Sequence, residues 1–157
     1  MALFFGEFDQ FIDGTKHRLA IPAALRESIS PEEDGANFIL VLGPDRHLWM
    51  YPELSYARVL KRLQRNPLPN RKSQQYGLYF AFARTLKPDS QGRVVLPEKS
   101  MQRAVVAEKV TLVGKGDHIE IWPMDEWDKH VEESLPRYGD EVLDAGDGMD
   151  GAEADDK

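Results

Sequence analysis

Residues 13–22 read DGTKHRLAIP and residues 89–97 read DSQGRVVLP. The ends of these stretches match, RLAIP at 18–22 against RVVLP at 93–97, at an offset of 75. Further on, LGPDRHLWMYP at 42–52 matches VGKGDHIEIWP at 113–123 at an offset of 71, aligning Gly43 with Gly114, His47 with His118 and Pro52 with Pro123. Self-similarity of this kind marks a duplicated unit, here of about 50–60 residues. The change of offset falls in the connecting loop, where deletions are tolerated.

Each unit reads alike. An Asp-containing turn leads into a short apolar run, Leu19–Ile21 in one half and Val94–Leu96 in the other. Pro22 and Pro97 stop those runs, since proline cannot donate to a sheet ladder and suits a helix start. Short helical stretches follow at Ala23–Ser28 and Glu98–Val105. Hairpins are expected at 38–51 and 109–122, where apolar strands flank a Gly/Asp turn. Pro52 and Pro123 close their second strands. The closing helices differ in charge. Over 53–65, Tyr56, Val59, Leu60 and Leu63 make the apolar face, opposite Arg58, Lys61, Arg62 and Arg65. Over 124–135, Met124, Trp127, Val131 and Leu135 form the stripe, opposite acids. A further helix is expected at Ser73–Thr85, its aromatics turned to the sheet, after a break at Pro67, Pro69 and Asn70. The expected organisation is residues 1–66 as the first repeat, 67–85 as a basic, aromatic connector with a helix, 86–137 as the second repeat and 138–157 as a disordered acidic tail.

The net charge of −7 is unevenly placed. Residues 138–157 hold eight acids and one lysine, leaving 19 acids and 19 bases in 1–137. Residues 54–88 carry eight bases and no acid. Exposed charges farther apart than about 8 Å are largely screened, so a basic surface survives the acidic total. The tail is low in apolar content and rich in Gly and Asp, a composition of disorder. Its expected role is solubility, or competition with DNA for the basic segment as a tethered polyanion. There is no cysteine, which excludes disulfides, thiolate zinc sites and cysteine nucleophiles. No apolar run approaches the roughly 18–20 residues of a membrane span, and MALFFGEFDQ lacks the basic start of a signal peptide.

The turns carry the functional signal. Asp89-Ser90-Gln91-Gly92-Arg93 places an arginine at a strand start, with Gly92 free to take φ > 0 and Asp89 able to accept from the turn backbone and to face Arg93. The first half departs: Asp13-Gly14-Thr15-Lys16-His17-Arg18 has four residues between Asp and Arg, His17 stands where the glycine is expected, and Gly14 is the candidate for φ > 0. Two such turns in tandem, with FFGEF at 4–8 and IPAALR at 21–26, resemble the MraZ family of transcriptional regulators over about residues 4–135. That resemblance implies an α+β, mainly β fold: two AbrB-like halves intertwined as a small β-barrel with flanking helices. It also implies ring-shaped homo-oligomers that bind repeated sites in double-stranded DNA near cell-division and cell-wall genes, with repression as the expected sign, in the cytoplasm and at the nucleoid.

Carried over residue by residue, the resemblance makes Arg93 a DNA contact, and the first turn adds Lys16, His17 and Arg18. Asp13, Gly14, Asp89 and Gly92 structure the turns. No catalytic residue, metal, cofactor, membrane or small-molecule substrate is expected. Two rival readings stand beside this one. In the first, a ring-forming protein regulates through protein contacts and binds no DNA. In the second, His47 with Asp45 and His118 with Asp117 form a metal-dependent hydrolase site.

Overall fold

A computed structural model describes residues 1–63, 68, 71 and 76–155 of the chain. The β-strands are β1 (Glu7–Phe11), β2 (Arg18–Ala20), β3 (Phe38–Leu42), β4 (Leu48–Pro52), β5 (Arg84–Leu86), β6 (Arg93–Val95), β7 (Lys109–Gly114) and β8 (Ile119–Pro123). The helices are α1 (Ala23–Arg26), α2 (Pro31–Asp34), α3 (Glu53–Leu63), α4 (Gly77–Phe82), α5 (Glu98–Arg103), α6 (Met124–Ser134) and α7 (Tyr138–Asp155), with a 3-10 turn at Leu135–Arg137. The chain divides into two compact units, Met1–Met124 and Asp125–Lys157.

The first unit holds the strands of both halves of the repeat, and they are interleaved. The large antiparallel sheet runs β1-β7-β8-β4-β3-β5, and a second sheet is the ribbon β2-β6. β1 precedes the first ribbon strand yet pairs with the second hairpin through β7. β5 precedes the second ribbon strand yet pairs with the first hairpin through β3. Exchanging the two halves leaves this order unchanged, so an internal pseudo-two-fold axis passes between β4 and β8. On it Trp49 lies opposite Glu120, and across the ribbon Leu19 lies opposite Val94.

The fold is therefore α+β and mainly β, as expected, but it is not a closed barrel. The large sheet ends in two edges, β1 and β5, which do not pair with each other. Closure would require a continuous ladder around the core. Instead the three-residue ribbon strands leave the sheet and cover one of its faces. Between ribbon and sheet lies the main core, with Leu19, Val94, Leu40, Met50, Leu112 and Ile121 all buried. A fully buried side chain of this size contributes about 1.5–3 kcal/mol. The other face carries a second cluster in which Ile39 and Val41 meet Tyr56 and Leu60 of α3 and Tyr79 of α4.

Pro22 and Pro97 are the N-caps of α1 and α5, and Pro52 and Pro123 end β4 and β8. Within the described part of the expected helix at Ser73–Thr85 the helix spans Gly77–Phe82, and Arg84–Leu86 is taken into the sheet as β5 beside β3; Ser73, Gln74 and Gln75 lie outside the described residues. Arg65 and the break at Pro67, Pro69 and Asn70 lie outside the described residues. Val59 and Leu135, expected on apolar faces, are exposed. In the second unit α7 replaces the expected disordered tail. Its first-turn acids, Asp140 and Glu141, favour the helix dipole, and an apolar spacing along it was masked by the acidic composition.

The hairpin alignment also shifts by one residue. Leu42 pairs with Leu48 and Gly114 with Ile119, so the second hairpin loop is one residue shorter and Gly114 corresponds to Leu42 rather than Gly43. Gly114 has its own reason to be glycine. The N-terminal segment crosses it so closely that a Cβ would meet the Phe5 backbone nitrogen at 2.4 Å, while Phe4 bridges to Gly116. Gly114→Ala must displace that segment, and the expected loss of stability is about 1–3 kcal/mol, measurable by urea denaturation.

Candidate nucleic-acid interface

The register of the ribbon sets Arg18 opposite Val95, Leu19 opposite Val94 and Ala20 opposite Arg93. Side chains alternate across a strand. With Leu19 and Val94 buried in the core, Arg18, Ala20, Arg93 and Val95 share the outer face. Both arginines are half-buried rather than enclosed. They line one open concavity of about 470 Å³ together with Phe11, Asp13, Gly14 and Glu108.

The second turn is braced throughout. Asp89 Oδ1 accepts from the backbone N–H groups of Gln91 and Arg93, each at 2.9 Å. Its Oδ2 accepts from Arg93 Nε at 2.8 Å. Gly92 adopts φ +76° and donates to the Asp89 carbonyl at 3.0 Å. A Cβ on Gly92 would meet Arg26 Nε at 2.5 Å. Arg26 lies over the turn and donates from Nε to the Ile21 carbonyl at 2.9 Å. Sequence reasoning missed this buttress, although Arg26 ends the quoted IPAALR stretch.

The first turn keeps the same frame with one more residue. Asp13 N–H donates to the Arg18 carbonyl at 3.0 Å, as Asp89 N–H does to the Arg93 carbonyl at 2.9 Å. Asp13 Oδ1 accepts from Thr15 N–H at 2.9 Å and Lys16 N–H at 3.4 Å. The left-handed residue is His17, at φ +53°, and not Gly14. The reason is the pseudo-axis: the His17 carbonyl accepts from Leu96 N–H at 2.9 Å just as the Gly92 carbonyl accepts from Ile21 N–H at 3.0 Å. The residue before each arginine must aim its carbonyl across the ribbon, so the extra residue is absorbed at Thr15 and Lys16. Histidine is among the side chains found more often in that conformation. His17 lines an open concavity with Met101 of α5, the residue that stands where Arg26 stands on α1.

The two arginines consequently differ in freedom. Arg93 is held by Asp89, whereas Arg18 makes no side-chain hydrogen bond or ion pair among the described residues. Lys16 is exposed at the turn tip. Both turn carboxylates titrate below the ordinary range. Asp13 is lowered first by the Thr15 and Lys16 backbone donors, and Asp89 first by the Arg93 backbone donor and then by its side chain.

His47 and His118 are not exposed turn tips. Both are buried on the sheet face away from the main core, His47 stacked on Trp122 at 3.8 Å and His118 on Trp49 at 4.2 Å. His118 Nδ1 and Nε2 are each bonded to a carboxylate, Asp117 and Glu120, at 2.7 Å. Burial pulls the His118 pKa down, but the two carboxylates overcome this and hold it above the usual value. Among the described residues no three His, Asp or Glu side chains are grouped to hold a metal ion.

A family profile described as "MraZ protein, putative antitoxin-like" matches residues 3–77 and 79–139. The chain belongs to the MraZ family. Similar MraZ proteins, each named a transcriptional regulator, come from Heliobacterium modesticaldum (31% identical, 87% of this chain and 92% of the relative) and Desulforamulus reducens (31%, 90% and 99%). A third, from Lactiplantibacillus plantarum, is 32% identical over 88% of this chain and 94% of its own. The match ends within α7, so most of the acidic helix lies beyond the MraZ profile.

The sign of the pH dependence follows from the depressed carboxylates. Asp13 and Asp89 stabilise their turns above the ordinary carboxylate pKa of about 4, and that contribution disappears as pH falls through their lower folded values. The protection of the Gln91 and Arg93 amides, taken relative to their intrinsic exchange rate at each pH, should fall as the solution is acidified through this range. In Asp89→Asn the same amides should be less protected at neutral pH, and their protection should no longer fall on acidification.

Proposed function

We propose that this protein regulates transcription by binding short direct repeats in double-stranded DNA, with the β2/β6 ribbon as the reading element. The observation that carries the reading is the common outer face of Arg18 and Arg93, set over a buried Leu19–Val94 pair. The major groove admits a two-stranded β-ribbon, and arginine on guanine is the commonest specific contact there. Lys16 and His17 reach out beside Arg18 to phosphate or base, while Asp13 and Asp89 hold the turns in place before DNA arrives. Ordering the turns in advance lowers the entropy lost on binding.

The unequal turns give the footprint a direction. A ribbon with Lys16-His17-Arg18 at one end and Gln91-Gly92-Arg93 at the other is not chemically two-fold, so one protomer reads an oriented site. Protomers arrayed head to tail in a ring would present that site in one sense, which suits direct repeats. One protomer offers few phosphate contacts, each adding about −0.9 to the slope of log K against log salt. Linked subunits on adjacent repeats supply the missing affinity through effective concentration. Operators near cell-division and cell-wall genes, repression, and a cytoplasmic, nucleoid-associated location are the corresponding expectations from the family. Glu108 and Asp13, whose carboxylates border the same concavity, favour the rival reading of a ring that binds protein and no DNA.

Gel-shift titration on a duplex with short direct repeats separates the two. Arg18→Ala should weaken binding by about 1–3 kcal/mol, roughly 5- to 150-fold, and by more than Arg71→Ala. Equal, unaltered affinity in Arg18→Ala removes the first turn as reader. Binding to neither duplex favours the rival, whereas equal binding to a scrambled duplex keeps DNA contact and removes the sequence reading.

A further inference from the structure

The outer face of the β2/β6 ribbon holds four side chains, and one of them is large and apolar. Arg18 lies opposite Val95, and Ala20 lies opposite Arg93. Val94 and Leu96 are enclosed in the core, whereas Val95 between them is 56% exposed. The alternation of a strand fixes this direction: with both neighbours turned inward, Val95 must face out. It belongs to neither buried cluster, so the core does not explain a branched apolar side chain there. The pseudo-axis relates it to Ala20, so the two ends of the face differ in shape as well as in charge.

Opposed residues of an antiparallel pair set their Cβ atoms about 4.5–5.5 Å apart, which stands Val95 beside Arg18. Along a strand, side chains on one face recur about every 6.6–6.8 Å, close to two base steps of about 3.4 Å each. A ribbon lying along the major groove therefore presents Arg18 with Val95 to one place, and Arg93 with Ala20 about two base pairs away. Valine neither donates nor accepts, so phosphates and the polar base edges offer it nothing. The apolar group in the major groove is the methyl group of thymine. We propose that Val95 contacts a thymine methyl group next to the base pair engaged by Arg18. The Arg18 end of the ribbon then selects two bases by different chemistry, and the other end, where Ala20 is too short to reach, reads through Arg93. This deepens the DNA reading above and rests on it.

The test takes the full-length protein and a repeat-bearing duplex selected from random DNA for binding to it. Each thymine is replaced in turn by deoxyuridine, which removes one methyl group and leaves every hydrogen-bonding edge in place. For the unaltered protein, one position per repeat should weaken binding about fourfold, the worth of one buried methyl group. Val95→Ala should bind the thymine duplex about fourfold more weakly and should no longer distinguish thymine from uracil at that position. The side chain is exposed, so its truncation spares the core, and circular dichroism checks the fold. Ala20→Val supplies the same methyl groups at the related position. With its site selected afresh, it should acquire a second thymine dependence about two base pairs from the first.

Uracil tolerated at every position by the unaltered protein overturns the proposal, and so does a uracil cost that persists in Val95→Ala. A lack of any second thymine dependence in Ala20→Val overturns it too, even where Val95→Ala does not fold. Loss of assembly in Val95→Ala, with uracil costing nothing, would give the valine to a protein contact instead. The two readings fail separately. If Arg18→Ala weakens binding while uracil costs nothing, the ribbon reads DNA and only the valine contact falls. If Arg18→Ala is neutral and the uracil cost depends on Val95, Arg18 falls as a reader and the valine contact stands. Selection that yields no bound duplex removes both.

Discussion

The exchange of edge strands between the two halves is the constraint on which the rest depends. Neither hairpin has a complete sheet edge of its own: β7 needs β1 from the other half, and β3 needs β5. Unpaired buried backbone groups are costly, so each half leaves donors and acceptors unmet until the other arrives. The ribbon follows from the same exchange. Because β2 and β6 each run out of an exchanged strand, they meet on the axis and seal the core with Leu19 and Val94. The outward direction of Arg18 and Arg93 is thus fixed by what their neighbours bury, with no separate device for presenting them.

The duplication, the proline-ended strands and both hairpins were legible because each rests on short-range chemistry. Pro22, Pro52, Pro97 and Pro123 act through their missing N–H groups, and the repeat exposes itself by self-comparison. β1 and β5 were not legible. Arg84-Thr85-Leu86 continues an aromatic helical pattern, and only its pairing with Phe38–Leu40 makes it a strand. The barrel was inherited from a resemblance and fails at β1 and β5, where no local pattern in the chain could have decided closure. The acidic helix was hidden by composition, because the four glycines and eight acids of residues 138–157 read as a disordered tail.

The turns show which parts of a site a single sequence can give. Asp89, Gly92 and Arg93 could be assigned from residue chemistry, and their hydrogen bonds agree with it. The first turn needed the structure, since two residues could have taken the left-handed position. The bond from Leu96 across the ribbon selects His17 over Gly14. Arg26 over Gly92 belongs to the same class, a contact between different halves with nothing local to announce it.

The pairing of Trp49 with Glu120 on the pseudo-axis has a consequence for how such a chain can evolve. In a dimer of identical single-unit chains, that position would lie against itself: tryptophan on tryptophan, or two carboxylates forced together out of water. Fusing the units into one polypeptide releases the position from self-complementarity. One side has become a ring and the other an acid that serves His118 and Trp122, an arrangement closed to any ancestor whose halves were separate and alike.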